Sequence, residues 1–120
     1  MEKSAINTTK TLLASFSAKD EKSSIELKNA LNYLADLSKN EEGIIRYEVF
    51  RSDNNQLEYF VLETWSGEWA LEKHLTQSHV LEFVQHCKLM LAAPFTIMPL
   101  SMPFKADWIN PLLTHGIGLN

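Results

Sequence analysis

A single cysteine, Cys87, gives the chain no internal disulfide and no CxxC pair for zinc or redox chemistry, which fits a reducing, cytoplasmic setting. Basic clusters are also missing. Lysines and arginines are scattered singly in a chain of net charge −4, so a nucleic-acid backbone finds no electrostatic footprint. No apolar run approaches the roughly 18 residues that a membrane span requires, so no integral membrane protein is expected. A Gly-rich phosphate loop, a dinucleotide fingerprint and a Ser-His-Asp order are all absent, and a nucleotide cofactor is not indicated. Near the N-terminus "TLLASFSA" imitates a signal-cleavage region. Its apolar core, Leu12 to Phe16, is short and interrupted by serine, so the stretch reads as structure.

What is present is enough for one domain. With 120 residues, 45% of them hydrophobic and 22% charged, the chain can bury roughly two thirds of its unfolded surface without a metal or disulfide to hold it. In "TKTLLASFSA", Leu12, Ala14 and Phe16 fall on one face and Thr11, Leu13, Ser15 and Ser17 on the other, the period of a strand. The period then changes. Leu27, Ala30, Leu31, Leu34 and Leu37 form a helical stripe from about Ser24 to Lys39, with Ser23 and Glu26 at capping-box spacing. "IIRYEVFRS" and "LEYFVLETW", separated by the turn composition "DNNQ", read as an antiparallel hairpin. Ser66 and Gly67 open a helical segment that Thr76 to Ser78 interrupt, and a second helix follows to about Leu91. "FTIMPLSMP" returns to a short strand whose prolines suit an edge.

The order β-α-β-β-α-β predicts an α+β, ferredoxin-like protomer with a four-stranded antiparallel sheet and helices on one face. Strands that are apolar on both faces then need a second cover, and another copy of the same sheet supplies it most simply, so a homodimer through the open sheet face is expected. Residues 1–103 are read as this domain, and 104–120 as an apolar tail packing on the body or the partner.

The stretch from Glu63 to Cys87 gathers two tryptophans, three histidines and the cysteine. On a helical wheel Ala70, Leu71 and Leu75 form an apolar arc with His74 inside it, so His74 points inward. A buried neutral imidazole either satisfies a backbone carbonyl or accepts a substrate proton. Val80, Val84, Cys87 and Leu91 form the next helix's spine, flanked by Phe83 and Met90, with His79 and His86 at the boundary. Those two histidines with Cys87 do not build a tetrahedral metal site, and none is expected. Trp65 and Trp69 serve either packing or the stacking of a flat ring. Cys87 is most simply a small buried hydrophobe. Glu48 suits an ion pair at an edge, whereas Glu63 shares the parity of Tyr59, Val61 and Trp65 in an otherwise apolar strand.

"TLLASFSAKDEK", "NEEGIIRYEVFRS" and "LEYFVLETWSGEWALEKHLTQSHVLEFV" resemble the antibiotic biosynthesis monooxygenase family, including its small quinol-monooxygenase-like members, over roughly residues 9 to 102. The most specific part of the resemblance is Trp65, Ala70, Leu71, His74, Leu75, Ser78, His79 and Phe83 after the hairpin. It implies a dimeric α/β barrel. It also implies oxidation of a small quinol or polyphenolic aromatic by molecular oxygen with no metal, flavin or haem. Under that resemblance His74, Trp65 and Trp69 are the catalytic candidates, and Tyr47, Phe16, Leu62, His79, Phe83 and Glu63 the substrate-binding ones. The haem-degrading branch carries an asparagine on its first strand. "TKTLLASFS" has none, and His74 stands where that branch has tryptophan, so haem breakdown is disfavoured. A non-catalytic small-molecule-binding dimer and an isomerase or lyase acting on a small carbonyl compound remain open, because the fold hosts more than one chemistry.

Overall fold

The structure, a computed structural model, describes residues 9–103. The expectation for the tail at 104–120 lies outside the described residues. Strand β1 (Lys10–Ser17) is followed by helix α1 (Glu21–Ser38), strands β2 (Ile44–Arg51) and β3 (Glu58–Trp65), helices α2 (Glu68–His74) and α3 (Ser78–Met90), and strand β4 (Thr96–Leu100). The strands form one antiparallel sheet in the order β2-β3-β1-β4. This is the ferredoxin-like α+β arrangement read from the sequence, with β4, which carries Pro99, at an edge. No helix among the described residues is long and apolar enough to cross a membrane.

Helix α1 begins earlier than its apolar stripe suggests. Asp20 is the N-cap, its Oδ1 accepting the Ser23 backbone N–H at 2.7 Å, and that bond holds its carboxyl below the usual range. Ser23 and Ser24 are therefore helical and buried, and the Ser24 hydroxyl bonds to Tyr59 on β3. Leu27, Leu31, Leu34 and Ala35 carry the buried face of α1 onto the sheet. On α3 the buried spine is Val80, Phe83, Cys87 and Met90. Val84, placed on that spine by the wheel, is 37% exposed, and Leu75 just beyond α2 is 50% exposed. The end of α3 is pinned to the end of β1 by Lys19 N–H donating to Met90 O and Ala92 N–H donating to Ser17 O.

Sheet register decides which side chains meet the helices. Along β3, Tyr59, Val61, Glu63 and Trp65 are buried while the residues between them are only half-buried. Their partners Phe16 and Ala14 on β1 and Tyr47 and Val49 on β2 share the helix-covered face. A register shift between Ile44 and Arg46 breaks the alternation. Tyr47 therefore faces inward, while Arg46 and Glu48 turn out and pair with each other at 2.6 Å. The other face carries Leu13, Phe50, Phe60, Leu62, Met98 and Leu100 with no helix of the described residues over it, and all five residues of β4 are exposed.

Between α1 and β2 the chain turns at Gly43, whose φ of +87° lies in the left-handed region. Its carbonyl accepts the Ser66 N–H at 2.7 Å, tying this turn to the start of α2. A Cβ on Gly43 would stand 2.4 Å from the Ala70 Cβ and 3.0 Å from the edge of the Trp69 ring. Gly43→Ala therefore combines backbone strain with a clash against the Ala70 Cβ, and should cost about 1–3 kcal/mol of unfolding free energy, measured by chemical denaturation.

Candidate functional site

The close packing at Gly43 sets the loop that precedes it against the two short helices. Glu41, on that loop, directs its carboxylate between two imidazoles. Oε2 lies 2.9 Å from His74 Nδ1 and 2.6 Å from His79 Nε2. A carboxylate only accepts, so each ring donates an N–H to the same oxygen. His74 ends α2 and His79 lies in the first turn of α3, and the intervening turn is fixed by Gln77 N–H donating to His74 O and by the Thr76 hydroxyl donating to Lys73 O.

Behind this array sits a second carboxylate. Glu63 on β3 accepts the Trp65 indole N–H at 2.7 Å, and its Oε1 lies 3.8 Å from His74 Nε2. Burial pushes the Glu63 carboxyl above its ordinary range, against the smaller stabilising effects of the Trp65 hydrogen bond and His74. The His74 ring stacks at 4.5 Å on Trp65, which is wholly buried, and meets Tyr47 edge-on at 5.9 Å. Burial first, and the Glu63 charge second, push the Tyr47 phenol well above its ordinary value, so it stays protonated at neutral pH.

The array is almost closed to solvent. His74 is 3% exposed and lines none of the cavities described. His79 is the member that reaches an opening. It lines a cavity of about 450 Å³ between α1 and α3, whose walls include Tyr33, Leu34, Phe83, His86 and Met90. Phe83 is braced from the sheet by Phe16, edge to face at 5.6 Å.

Of the residues singled out from the sequence, His74, Trp65, Tyr47, Glu63 and His79 are thus brought together, and Phe83 joins them through the cavity. Three are not. Trp69 is 52% exposed, and its ring covers the Gly43 turn instead of walling the cluster. Leu62 alternates with Val61 and Glu63, so β-strand parity places it on the uncovered sheet face, away from the helices. Phe16 supports Phe83 from beneath and lines none of the described cavities. His86 stays at the surface, its Nδ1 bonded to the Glu82 carbonyl. Glu41 escaped the sequence reading because its partners lie 33 and 38 residues away. The available signal was Gly43 two residues on, which marks a turn packed against something.

A family model described as antibiotic biosynthesis monooxygenase matches residues 11–86. YcnE of Bacillus subtilis, named as a provisional monooxygenase, is 31% identical over 61 residues. That stretch is 51% of this chain and 64% of YcnE, so the match spans less than two thirds of the relative's length. A solved Pseudomonas aeruginosa protein superposes with a TM-score of 0.73 at 25% identity, over 79% of this chain and 94% of that one. SnoaB of Streptomyces nogalater, named as a cofactor-independent oxygenase, superposes with a TM-score of 0.71 over 82% of this chain and 97% of its own. At 13% identity that likeness is one of fold.

Cys87 takes no part in the array. Its thiol is buried on α3, and desolvation pushes it up to about 12 from 9.0. A folded-state value raised this far favours the thiol over the thiolate until the pH approaches it. The native protein should therefore resist thiol-reactive disulfide reagents at neutral and mildly alkaline pH, and react at the ordinary cysteine rate once unfolded in denaturant.

Proposed function

The chain belongs to the antibiotic biosynthesis monooxygenase family, and we propose that it oxidises a small quinol or polyphenolic aromatic with molecular oxygen in the cavity between α1 and α3. One observation carries the reading. The imidazole at the cavity wall, His79, is hydrogen-bonded through Glu41 to a second, buried imidazole. With Nε2–H of His79 donating to Glu41, Nδ1 is the ring's acceptor, and no hydrogen bond of the described residues engages it. A neutral imidazole so held is suited to take the proton of a phenolic hydroxyl, and Glu41 stabilises the imidazolium that results.

This moves the direct role from His74 to His79. His74, stacked on Trp65 and flanked by Glu63, holds Glu41 in place from behind. Phe83 and Tyr33 offer flat apolar walls for the ring of the substrate. Deprotonation raises the electron density of the aromatic, which then reduces oxygen directly. One oxygen atom enters the ring, the other leaves as water, and the product is a hydroxylated quinone, so the substrate itself supplies the electrons. The apolar part of the lining, Leu34, Phe83 and Met90, gives the ring a surface from which water is displaced when it binds. That SnoaB is named a cofactor-independent oxygenase is consistent with such chemistry on this fold.

We also propose that two copies pair through the uncovered sheet face. Phe50, Met98 and Leu100 are exposed there at 49%, 57% and 39%, beside the half-buried Leu13, Phe60 and Leu62. Burying such a patch against its own copy removes apolar surface from water and covers both sheets at once.

Oxygen consumption with a panel of hydroquinones tests the chemistry. His79→Ala should lower kcat by about 100- to 10,000-fold, the span usual for loss of a general base, and Phe83→Ala should act mainly on KM. Ligand binding without oxygen use in either protein would instead make the cavity a recognition site, and solvent deuterium appearing in a product without oxygen use would make it an isomerase. Sedimentation tests the assembly: the wild type should run as a dimer, and Met98→Glu should shift it toward monomer.

A further inference from the structure

Glu41, His74 and His79 form a group whose chemistry extends beyond proton transfer. The ligand-capable atoms, one carboxylate oxygen and two imidazole nitrogens, all lie within 4.8 Å of one another. They come from three separate places in the chain: the loop after α1, the end of α2 and the first turn of α3. Each place is fixed independently by the Gly43 packing, by the Trp65 stack and by the 75–77 turn. A pair of imidazoles with one carboxylate is a donor set for a divalent first-row transition metal, and too poor in oxygen for calcium or magnesium.

The surroundings suit such an ion in three respects. First, the ligand spacing is near what coordination needs. In a tetrahedral site with bonds of the usual length the donor atoms stand about 3.3 Å apart. Here the two nitrogen to oxygen separations are 2.9 and 2.6 Å, so an ion enters by a modest opening of the array. Second, the outer contact is in place. A metal on His74 Nδ1 sends that ring's proton to Nε2, which looks at Glu63 Oε1 across 3.8 Å, the carboxylate–histidine–metal relation that fixes ligand tautomers in metal sites. Third, three protein ligands leave a further coordination position for water, and His79 borders the cavity through which an ion and its water arrive.

We propose that Glu41, His74 and His79 bind one divalent transition-metal ion, with zinc as the natural occupant for this donor set. An imidazole that holds the ion on one nitrogen carries its remaining proton on the other. The consequence for His79 is specific. With the ion on Nε2, the ring's proton sits on Nδ1, and the acceptor that would take a substrate proton is gone. Bound zinc therefore inhibits the oxygenase chemistry; this part of the inference rests on the function proposed above, whereas the site itself rests on geometry alone.

Chelator-treated full-length protein titrated with Co2+, followed by visible absorption, and then with Zn2+ in competition, tests the site. One Co2+ per chain should bind with the intense absorption of a low-coordinate site, and Zn2+ should displace it. Glu41→Gln and His79→Asn should each weaken binding by at least about tenfold, the loss expected for an altered ligand set. His79 is at the cavity edge and Glu41 is in a loop, so neither variant depends on repacking the core, as His74→Ala would. His86→Ala, which changes the surface histidine, should leave Co2+ binding as it is. Absence of stoichiometric binding, or binding lost in His86→Ala and kept in the other two, overturns the proposal. Oxygen uptake measured in parallel separates the two readings. Metal binding with the expected variant pattern but no quinol oxidation keeps the site and removes the oxygenase. Quinol oxidation with no metal binding does the reverse.

Discussion

Gly43 lies so close to Ala70 that only a residue without a Cβ fits there, and its left-handed φ turns the chain back toward β2 in the same step. This single close approach fixes the position of Glu41 two residues before it. Glu41 in turn holds two imidazoles from different helices on one oxygen, and one of them stacks on the buried Trp65. A loop, two helices and a strand therefore meet in one hydrogen-bonded unit whose location is set by sterics before electrostatics has any part. Desolvation then acts on what is gathered there: it keeps Tyr47 protonated and raises Glu63, while leaving His79 at a boundary where a small molecule can reach it.

The two faces of the sheet divide the work. The covered face holds Phe16, Val61, Glu63 and Trp65 under the helices, and with them the polar cluster. The open face keeps an apolar surface that no helix of the described residues covers. A register shift at the start of β2 is what allows this division at the cluster itself. Without it Tyr47 would fall opposite Leu62 and point outward, Arg46 and Glu48 would turn toward the helices in its place, and His74 would lose an aromatic neighbour.

Much of the architecture was legible because strands and helices announce themselves through period. Leu12, Ala14 and Phe16 alternate, Leu27, Leu31 and Leu34 recur at helical spacing, and Pro99 marks an edge. The inward turn of His74 was legible in the same way, from its place among Ala70 and Leu71. Errors arose where a local rule met a tertiary one. Asp20 took the capping role that spacing gave to Ser23, because Ser23 and Ser24 were needed beneath the helix. Trp69, a large aromatic beside a candidate site, went to cover a glycine turn. Leu62 fell on the wrong side by parity, which alternation gives only once the inward member of the strand is known. Glu41 could not be seen at all, since an acidic residue in a polar loop has no period, and its meaning comes from rings brought to it by the fold.

The Trp65 stack has an optical consequence. An indole in van der Waals contact with an imidazole, and bonded through its N–H to a carboxylate, emits under the control of those two groups. Trp65 is wholly enclosed, whereas Trp69 is half in water, so their emission bands should separate in wavelength. In a variant lacking the third tryptophan, Trp108, the blue component then serves as a built-in reporter on the cluster: anything that rotates, charges or ligates His74 changes its intensity, without a label and without a substrate.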